Sequence, residues 1–176
     1  FGTPSAVRDV GAPHGTVATV RDLFANVPAR RKFLRQPSTE AGYATRVVSA
    51  YACAYPEVAF ELTTDQRRAF ATDGSGDLTS AAVSVHGPEV GAAAIPLAPL
   101  DESAAIPGVS VTGWVGAPTV HRSHRQGMVF FVNGRWIQSR SLSFAFEDAY
   151  HSLLMVGRHP LCVVRISLDP AMVDVN

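Results

Sequence analysis

Two basic segments hold the residues whose types and spacing suit contacts with phosphate groups. The first follows Gly15-Thr16, where a flexible backbone and a hydroxyl group can approach a phosphate, and it places Arg30, Arg31 and Lys32 on one short predicted helix. The second covers residues 116–142, which contain four arginines and no acidic residue. Arginine suits bidentate phosphate contacts. Composition alone is equally consistent with two solvent-exposed surface segments, so it does not establish that either segment binds phosphate.

A predicted β-hairpin organises the second basic segment. Asn133-Gly134 lies between two apolar runs, which is the strongest short-range hairpin signal, and it predicts strands over 128–132 and 135–138. A helix is expected to begin at Ser141 and to run to about Leu154. The basic residues of the segment are Arg122, Arg125, Arg135 and Arg140. Each arginine that neutralises a nucleic-acid phosphate adds affinity that depends on salt and not on sequence.

The net charge hides an uneven distribution of charge along the chain. Fifteen basic and fifteen acidic side chains cancel, which taken alone argues against a nucleic-acid-binding protein. Residues 1–46, however, carry seven basic and three acidic side chains, whereas residues 47–115 carry two basic and eight acidic ones. Two basic segments therefore flank an acidic one.

Histidines and cysteines give no indication of a metal site or a catalytic pair. His121 and His124 have a spacing open to metal ligation, but no Cys, Asp or Glu lies nearby to complete a set, so a solvated loop is the favoured interpretation. Cys53 and Cys162 each lie in an apolar run, which favours two buried thiols over a disulfide. The sequence contains no phosphate-binding loop, dinucleotide fingerprint or nucleophile elbow.

Alternating helices and strands position these segments. Helices are predicted over 29–34, 38–54 and 78–86, with Ser38 or Thr39 as the cap of the second and Ala44, Val47, Val48 and Tyr51 as its inner face. Strands are predicted over 15–21, 58–63, 67–72, 93–97, 109–115 and 160–167, and residues 116–127 are expected to form a polar loop. This pattern predicts an α/β or α+β chain. No apolar run reaches the roughly 18 residues of a membrane span.

Four stretches together resemble the MutL family of mismatch-repair proteins. The most specific runs from Gly15 to Leu34 and reads GTVATVRDLFANVPARRKFL. The others are Thr39-Glu40 with the helix that follows, Phe131-Val-Asn-Gly-Arg135, and the two pieces Ile166–Pro170 and Val173–Asn176. Their order and spacing cover nearly the whole chain, although residues 60–105 resemble the family only in outline.

The resemblance implies a fold and separate roles for two parts of the chain. Residues 1–36 would be the last strand and helix of a GHKL ATPase domain, the class that includes gyrase and the Hsp90 chaperones. Residues 37–176 would be an α+β transducer domain, similar to domain 2 of a small-subunit ribosomal protein, with a left-handed β-α-β crossover. Gly15 and Thr16 would lie at the nucleotide. Arg140 is the best match to a DNA-contacting arginine, with Arg135 beside it and Arg30, Arg31 and Lys32 as further DNA-binding residues.

The family resemblance also implies cofactors and partners. The intact protein would bind ATP and Mg²⁺, form a homodimer, bind DNA, and couple the mismatch-recognition protein MutS to a downstream nuclease or helicase. It would be a bacterial cytoplasmic protein associated with the nucleoid, with no membrane contact. The family's catalytic glutamate and Mg²⁺-binding asparagine are expected before Phe1 and its phosphate-contacting lysine after Asn176. The fragment alone is therefore expected to bind no cofactor and to be inactive.

Two alternatives remain at this level. One is the transducer domain of a topoisomerase-type GHKL ATPase, which would lack the run Pro28–Leu34. The other is an RNA-binding module that shares only the fold. That module would need base-stacking aromatic residues on an exposed sheet, and Phe130, Phe131 and Trp136 are the available candidates.

Overall fold

The computed structural model describes residues 5–12, 22–98 and 105–173. Its contacts divide the chain into two compact units, Phe1–Gly42 and Tyr43–Asn176. The domain boundary expected after residue 36 stays a prediction. Among the described residues, no helix is both long enough and apolar enough to cross a membrane.

The basic helix of the first unit, α1, covers Pro28–Arg31. Pro28 occupies its first turn, as predicted, where the missing N–H removes no hydrogen bond. The expectation that it continues to Leu34 is wrong. The N–H groups of Phe33 and Leu34 instead donate to carbonyls three residues back, which tightens the backbone into turns before the next helix starts.

The long helix α2 covers Pro37–Ala54 and differs from the prediction at its start and on its buried face. Neither Ser38 nor Thr39 caps it, because Pro37 takes its first position. Ala44 and Val47 are exposed although both were expected to face inward. The buried residues lie at its C-terminal end and are small: Ala50, Ala52, Cys53 and Ala54. Small side chains let this end of the helix approach its neighbours closely.

The acidic middle of the chain forms a hairpin and two helices. Strands β1 (Glu61–Thr64) and β2 (Arg67–Ala71) pair through a turn whose central residues, Asp65 and Gln66, both have positive φ. Asp77 caps the N-terminus of helix α3 (Leu78–His86), and its carboxylate accepts the N–H of Thr79 at 2.8 Å. Helix α4 (Pro88–Ala92) was not predicted, because five residues hold too little periodicity to identify.

A mixed five-stranded sheet forms the centre of the second unit. In chain order, the remaining elements are β3 (Ala94–Pro96), β4 (Ser110–Gly116), β5 (His121–Arg122), β6 (Met128–Val132), β7 (Arg135–Ile137), α5 (Arg140–Ala149), β8 (His159–Pro160) and β9 (Cys162–Ser167). The strand order is β3-β4-β9-β6-β7, and β6 and β9 are parallel while the other pairs are antiparallel. Strands β5 and β8 form a separate small pair.

Alternating side chains divide the core between the two faces of this sheet. Phe131 and Val163 join a cluster with Trp114 and the C-terminal end of α2. Their neighbours Phe130 and Val164 point the other way, into a cluster completed by α5. The sheet is therefore covered by helices on both faces, which confirms the expected α+β class. The left hand of the crossover between β6 and β9 stays a prediction.

Several predicted element boundaries change in the structure. Helix α5 begins at Arg140 and ends at Ala149, five residues before the expected Leu154, because residues 150–153 form turns. The stretch 116–127 is not only a loop, since it contains β5 and a single turn of 3₁₀ helix at Arg125–Gly127. The predicted strand at 15–21 lies outside the described residues.

Candidate nucleic-acid interface

The hairpin between β6 and β7 has the geometry that its sequence predicts. Asn133 and Gly134 both adopt positive φ, 47° and 79°, as a tight two-residue turn requires. The Asn133 side chain accepts the N–H of Leu168 at 3.0 Å, and the Tyr55 hydroxyl donates to the carbonyl of Gly134 at 3.3 Å. These bonds fix the turn against the rest of the unit, and with it the strand that leads to α5.

Ser139 sets the start of α5 and therefore the position of Arg140. The Ser139 hydroxyl accepts the N–H of Leu142 at 3.2 Å, which satisfies one of the free donors of the first turn. Arg140 is the first residue of the helix and is exposed. A hydroxyl cap thus holds the backbone of this arginine beside the end of β7.

A groove of about 430 Å³ opens next to Arg140. We call it the arginine groove. Its lining residues are Arg46, Arg125, Gln126, Met128, Phe130, Trp136, Ile137, Gln138, Ser139, Arg140, Ser143 and Phe144. Three of these described residues are arginines and none is acidic, so the groove suits an anion.

Arg125 differs from the other two arginines because its charge is already compensated. Its Nε and Nη2 donate to the two carboxylate oxygens of Glu147 at 2.7 and 2.9 Å, and its guanidinium lies 4.9 Å from the ring centre of Phe144. The hydrogen bond from Arg125 is the main cause that lowers the pKa of Glu147, opposed by partial burial and helped by His159, whose Nδ1 lies 2.6 Å away. Glu147 therefore stays ionised and neutralises Arg125.

Two of the four arginines of the second basic segment line the arginine groove. Arg125 and Arg140 line the arginine groove, but Arg122 and Arg135 do not. Arg135 is exposed on β7, and the Nη1 of Arg122 donates to the carbonyl of His121 at 3.1 Å. Arg125 and Arg140 therefore share the groove, and the grouping of all four arginines in one basic patch stays a prediction.

The groove includes a residue that the sequence interpretation did not select. Arg46 lies on α2, far along the chain from the second basic segment, and the centre of its guanidinium lies 5.2 Å from the ring centre of Trp136. Its only sequence signal is a lone basic residue in an otherwise apolar and small-residue helix. Such a signal does not identify a site until the fold brings the helix to the sheet.

The remaining predicted site residues belong to the first unit, and two of them lie outside the described residues. Arg30, Arg31 and Lys32 are all exposed on or directly after α1, and the Arg30 guanidinium lies 5.9 Å from the ring centre of Phe24. Gly15 and Thr16, the expected nucleotide contacts, lie outside the described residues.

The cysteines are buried as predicted, whereas His121 differs from its prediction. Both Cys53 and Cys162 are free and buried, as predicted, and burial raises the pKa of each thiol to about 12. His121 is partly buried within β5 and not in a solvated loop. In the described parts of the chain, no group of three or more His, Cys, Asp or Glu residues is placed to hold a metal ion.

Comparison with known proteins identifies one family. The family model described as "DNA mismatch repair protein, C-terminal domain" matches residues 82–176. The chain is 46% identical over 166 residues to the DNA mismatch repair protein MutL of Desulforudis audaxviator, which covers 94% of this chain and 28% of that protein. It is 41% identical over 171 residues to MutL of Heliobacterium modesticaldum, with 97% and 25% covered. The chain therefore spans about a quarter of the length of the curated relatives it matches.

Solved structures give the same answer for the fold. The chain is similar to the Aquifex aeolicus MutL ATPase domain complexed with ADP, with a TM-score of 0.58 and 25% identity over 86% of this chain and 52% of that one. A second structure, of the ATPase domain from the mismatch repair endonuclease MutL of the same organism, gives a TM-score of 0.59 and 27% identity over 89% and 53%.

Proposed function

Because the chain belongs to the MutL family of DNA mismatch-repair proteins, we propose that it acts in DNA mismatch repair as the part of a longer protein that contacts DNA. The observation that carries this proposal is the arginine groove, in which Arg46, Arg125 and Arg140 lie without an acidic residue in the described lining. The proposed ligand is the phosphate backbone of duplex DNA, and Arg140 is its principal contact.

The chemistry of the groove fits contacts with the DNA backbone better than contacts with base edges. A guanidinium donates two parallel hydrogen bonds to a phosphate, and each such contact adds affinity without regard to base sequence. Arg140 suits this role because it is exposed and carries no ion pair in the described part of the chain. Local charge and not net charge carries the binding, since the chain as a whole is neutral.

Further basic residues extend the proposal to the first unit. Arg30, Arg31 and Lys32 are exposed on or directly after α1 and are available to bind phosphate. Arg135, exposed at the start of β7, is a further candidate outside the arginine groove. We propose these four as secondary DNA contacts, whose individual loss weakens binding less than the loss of Arg140.

Nucleotide binding is proposed for the intact protein only. The Aquifex aeolicus MutL ATPase domain was solved in complex with ADP, and on the family resemblance we propose that Gly15 and Thr16 lie beside the nucleotide in the intact protein, which also binds Mg²⁺. No acidic cluster among the described residues fits the metal.

The partners of the intact protein are proposed from the family. They are DNA, a second copy of the protein, the mismatch-recognition protein MutS, and a downstream nuclease or helicase. The expected place of action is the bacterial cytoplasm at the nucleoid. In this proposal the intact protein is an ATP-dependent matchmaker, and the present chain forms its transducer and DNA-groove part.

Burial of the aromatic residues argues against the RNA-binding alternative. Phe130 and Phe131 are 2% and 0% exposed, so neither offers a face on which a base could stack. The remaining candidate, Trp136, already has a guanidinium packed on its ring. The topoisomerase alternative is disfavoured because the relatives reported above are mismatch-repair proteins.

Filter binding at several salt concentrations tests the proposal. The full-length protein should bind duplex DNA more tightly than single-stranded RNA, with an affinity that falls steeply as salt rises. Arg140→Glu should weaken duplex binding at least tenfold while the circular dichroism spectrum and thermal unfolding stay unchanged, because Arg140 is exposed. Unchanged duplex binding by a folded Arg140→Glu protein would refute the proposed role of the groove.

A further inference from the structure

Arg46 occupies an environment that a structural arginine would rarely have. Its Nε atom is buried and has no hydrogen-bond partner, and its guanidinium packs on the Trp136 ring with no carboxylate recorded beside it in the described residues. Burying the Nε–H donor of Arg46 without a partner is unfavourable, because its hydrogen bond to water is lost and not replaced. The cation–π contact offsets only part of that. An anion that accepts from this guanidinium would remove the remaining penalty.

The charge balance of the arginine groove leaves two cations for such an anion. Glu147 neutralises Arg125 through two hydrogen bonds. Within the described residues, Arg46 and Arg140 form no ion pair, and none of the described lining residues is acidic. Both therefore face the same groove with their charge uncompensated.

The ring of Trp136 restricts Arg46 through a cation–π contact, in which the guanidinium carbon lies 5.2 Å from the ring centre. A guanidinium in such a contact can still donate its N–H groups to a bidentate acceptor. Less side-chain freedom is then lost when a ligand binds, because the arginine is already held. Trp136 is thus a positioning residue for Arg46.

We propose that Arg46, held on Trp136, is a second phosphate-binding residue of the arginine groove and binds the sugar–phosphate backbone of duplex DNA together with Arg140. The inference rests on the proposed function and deepens it. It adds the middle of the long helix α2 to the DNA contact, so that one strand of the duplex lies along the groove between the two arginines. It assigns no base preference, because backbone contacts carry none.

The salt dependence of DNA binding by the full-length protein tests this proposal. Each phosphate neutralised by a side chain contributes about 0.9 to the slope of log affinity against log salt. Arg46→Gln is expected to reduce the slope by about 1, as is Arg140→Gln, and to weaken all duplex sequences by a similar factor. Arg46→Lys keeps the charge and is expected to retain the slope. Arg68→Gln, a change of an exposed arginine on β2 outside the groove, is the matched control and is expected to leave the slope unchanged.

The outcomes separate this proposal from the proposed function. If Arg140→Gln lowers the slope and Arg46→Gln does not, the inference about Arg46 is wrong and the proposed function stands. If Arg46→Lys loses as much slope as Arg46→Gln, the arginine has a structural role, and the inference is again wrong. If Arg140→Gln also leaves the slope unchanged, the proposed function fails and the inference fails with it.

Discussion

Removing the carboxylate of Glu147 should tighten DNA binding, because it releases a third arginine into the groove. Both oxygens of Glu147 accept from Arg125, at 2.7 and 2.9 Å, so Glu147→Gln removes a negative charge and leaves the Arg125 guanidinium uncompensated. Arg125 stays beside the groove through its contact with Phe144. The prediction is a gain in affinity that is largest at low salt.

The magnitude follows from counterion release. One additional neutralised phosphate raises the salt slope by about 0.9, so a rise from about 50 to about 200 mM salt should cost the variant about 3.5-fold more affinity than the unchanged protein. Thermal unfolding of the variant is measured alongside, because the Arg125 side chain is 53% exposed but the Glu147 side chain is only 19% exposed and also contacts His159 Nδ1 at 2.6 Å. Fluorescence anisotropy of a labelled duplex across this salt range measures the effect.

A neighbouring acidic residue provides the matched control. Asp148→Asn removes the same formal charge from the same helix, but Asp148 is exposed and neither lines the groove nor forms a recorded ion pair in the described residues. Asp148→Asn should leave the slope almost unchanged. Equal effects of the two substitutions would mean that only total charge matters, and no change with Glu147→Gln would mean that Arg125 does not reach DNA. Either result would refute the charge balance assigned to the groove.

Three further predictions concern the fold. Gly113→Ala should destabilise the protein by about 2 kcal/mol or more in urea unfolding, because Gly113 has φ of +126° and an added Cβ would lie 2.0 Å from the carbonyl oxygen of Val163; an unfolding midpoint within error of the unchanged protein would contradict this. Phe131→Ala should cost about 3–5 kcal/mol in the same assay, since the ring is 0% exposed, and a loss below 1 kcal/mol would show that the site is not packed as described. Cys53 and Cys162 should resist thiol reagents in the folded protein at pH 8 and react after unfolding, and rapid labelling of the folded protein would contradict their burial. Burial raises the pKa of both folded thiols to about 12. The free energy of unfolding should therefore be unaffected by these thiols below about pH 8.5 and should fall as pH rises above it.

Local signals in the sequence predict much of the sheet and little of its surroundings. The Asn133-Gly134 turn predicts its own hairpin because its two residues tolerate the positive φ that the turn needs. Helix α2 shows the opposite case. Its large apolar residue Val47 is exposed and its small Ala50 is buried, because distance to the sheet and not hydrophobicity decides the buried face.

The candidate site likewise contains some residues that the sequence predicts and others that only tertiary packing reveals. Arg140 and Arg125 lie in one basic segment, so composition selects them, and the Ser139 cap then fixes the start of the helix that carries Arg140. Arg46 lies on a helix that is distant in sequence, and it meets Trp136 only through tertiary packing. The compensation of Arg125 by Glu147 spans 22 residues, which no local pattern reveals.

Site-directed cross-linking tests most directly whether DNA lies in the arginine groove. Gln138→Cys, at an exposed position in the groove lining that leaves Arg140 in place, is introduced into the full-length protein. The variant is offered duplex DNA with a disulfide-bearing tether on one backbone phosphate, with Arg68→Cys at an exposed position of β2 as the control. The native thiols of Cys53 and Cys162 are buried and should not compete. We expect a cross-link at position 138 that high salt abolishes, and little at position 68. Equal yields at the two positions, or none at 138, would contradict the proposed placement of DNA in the groove.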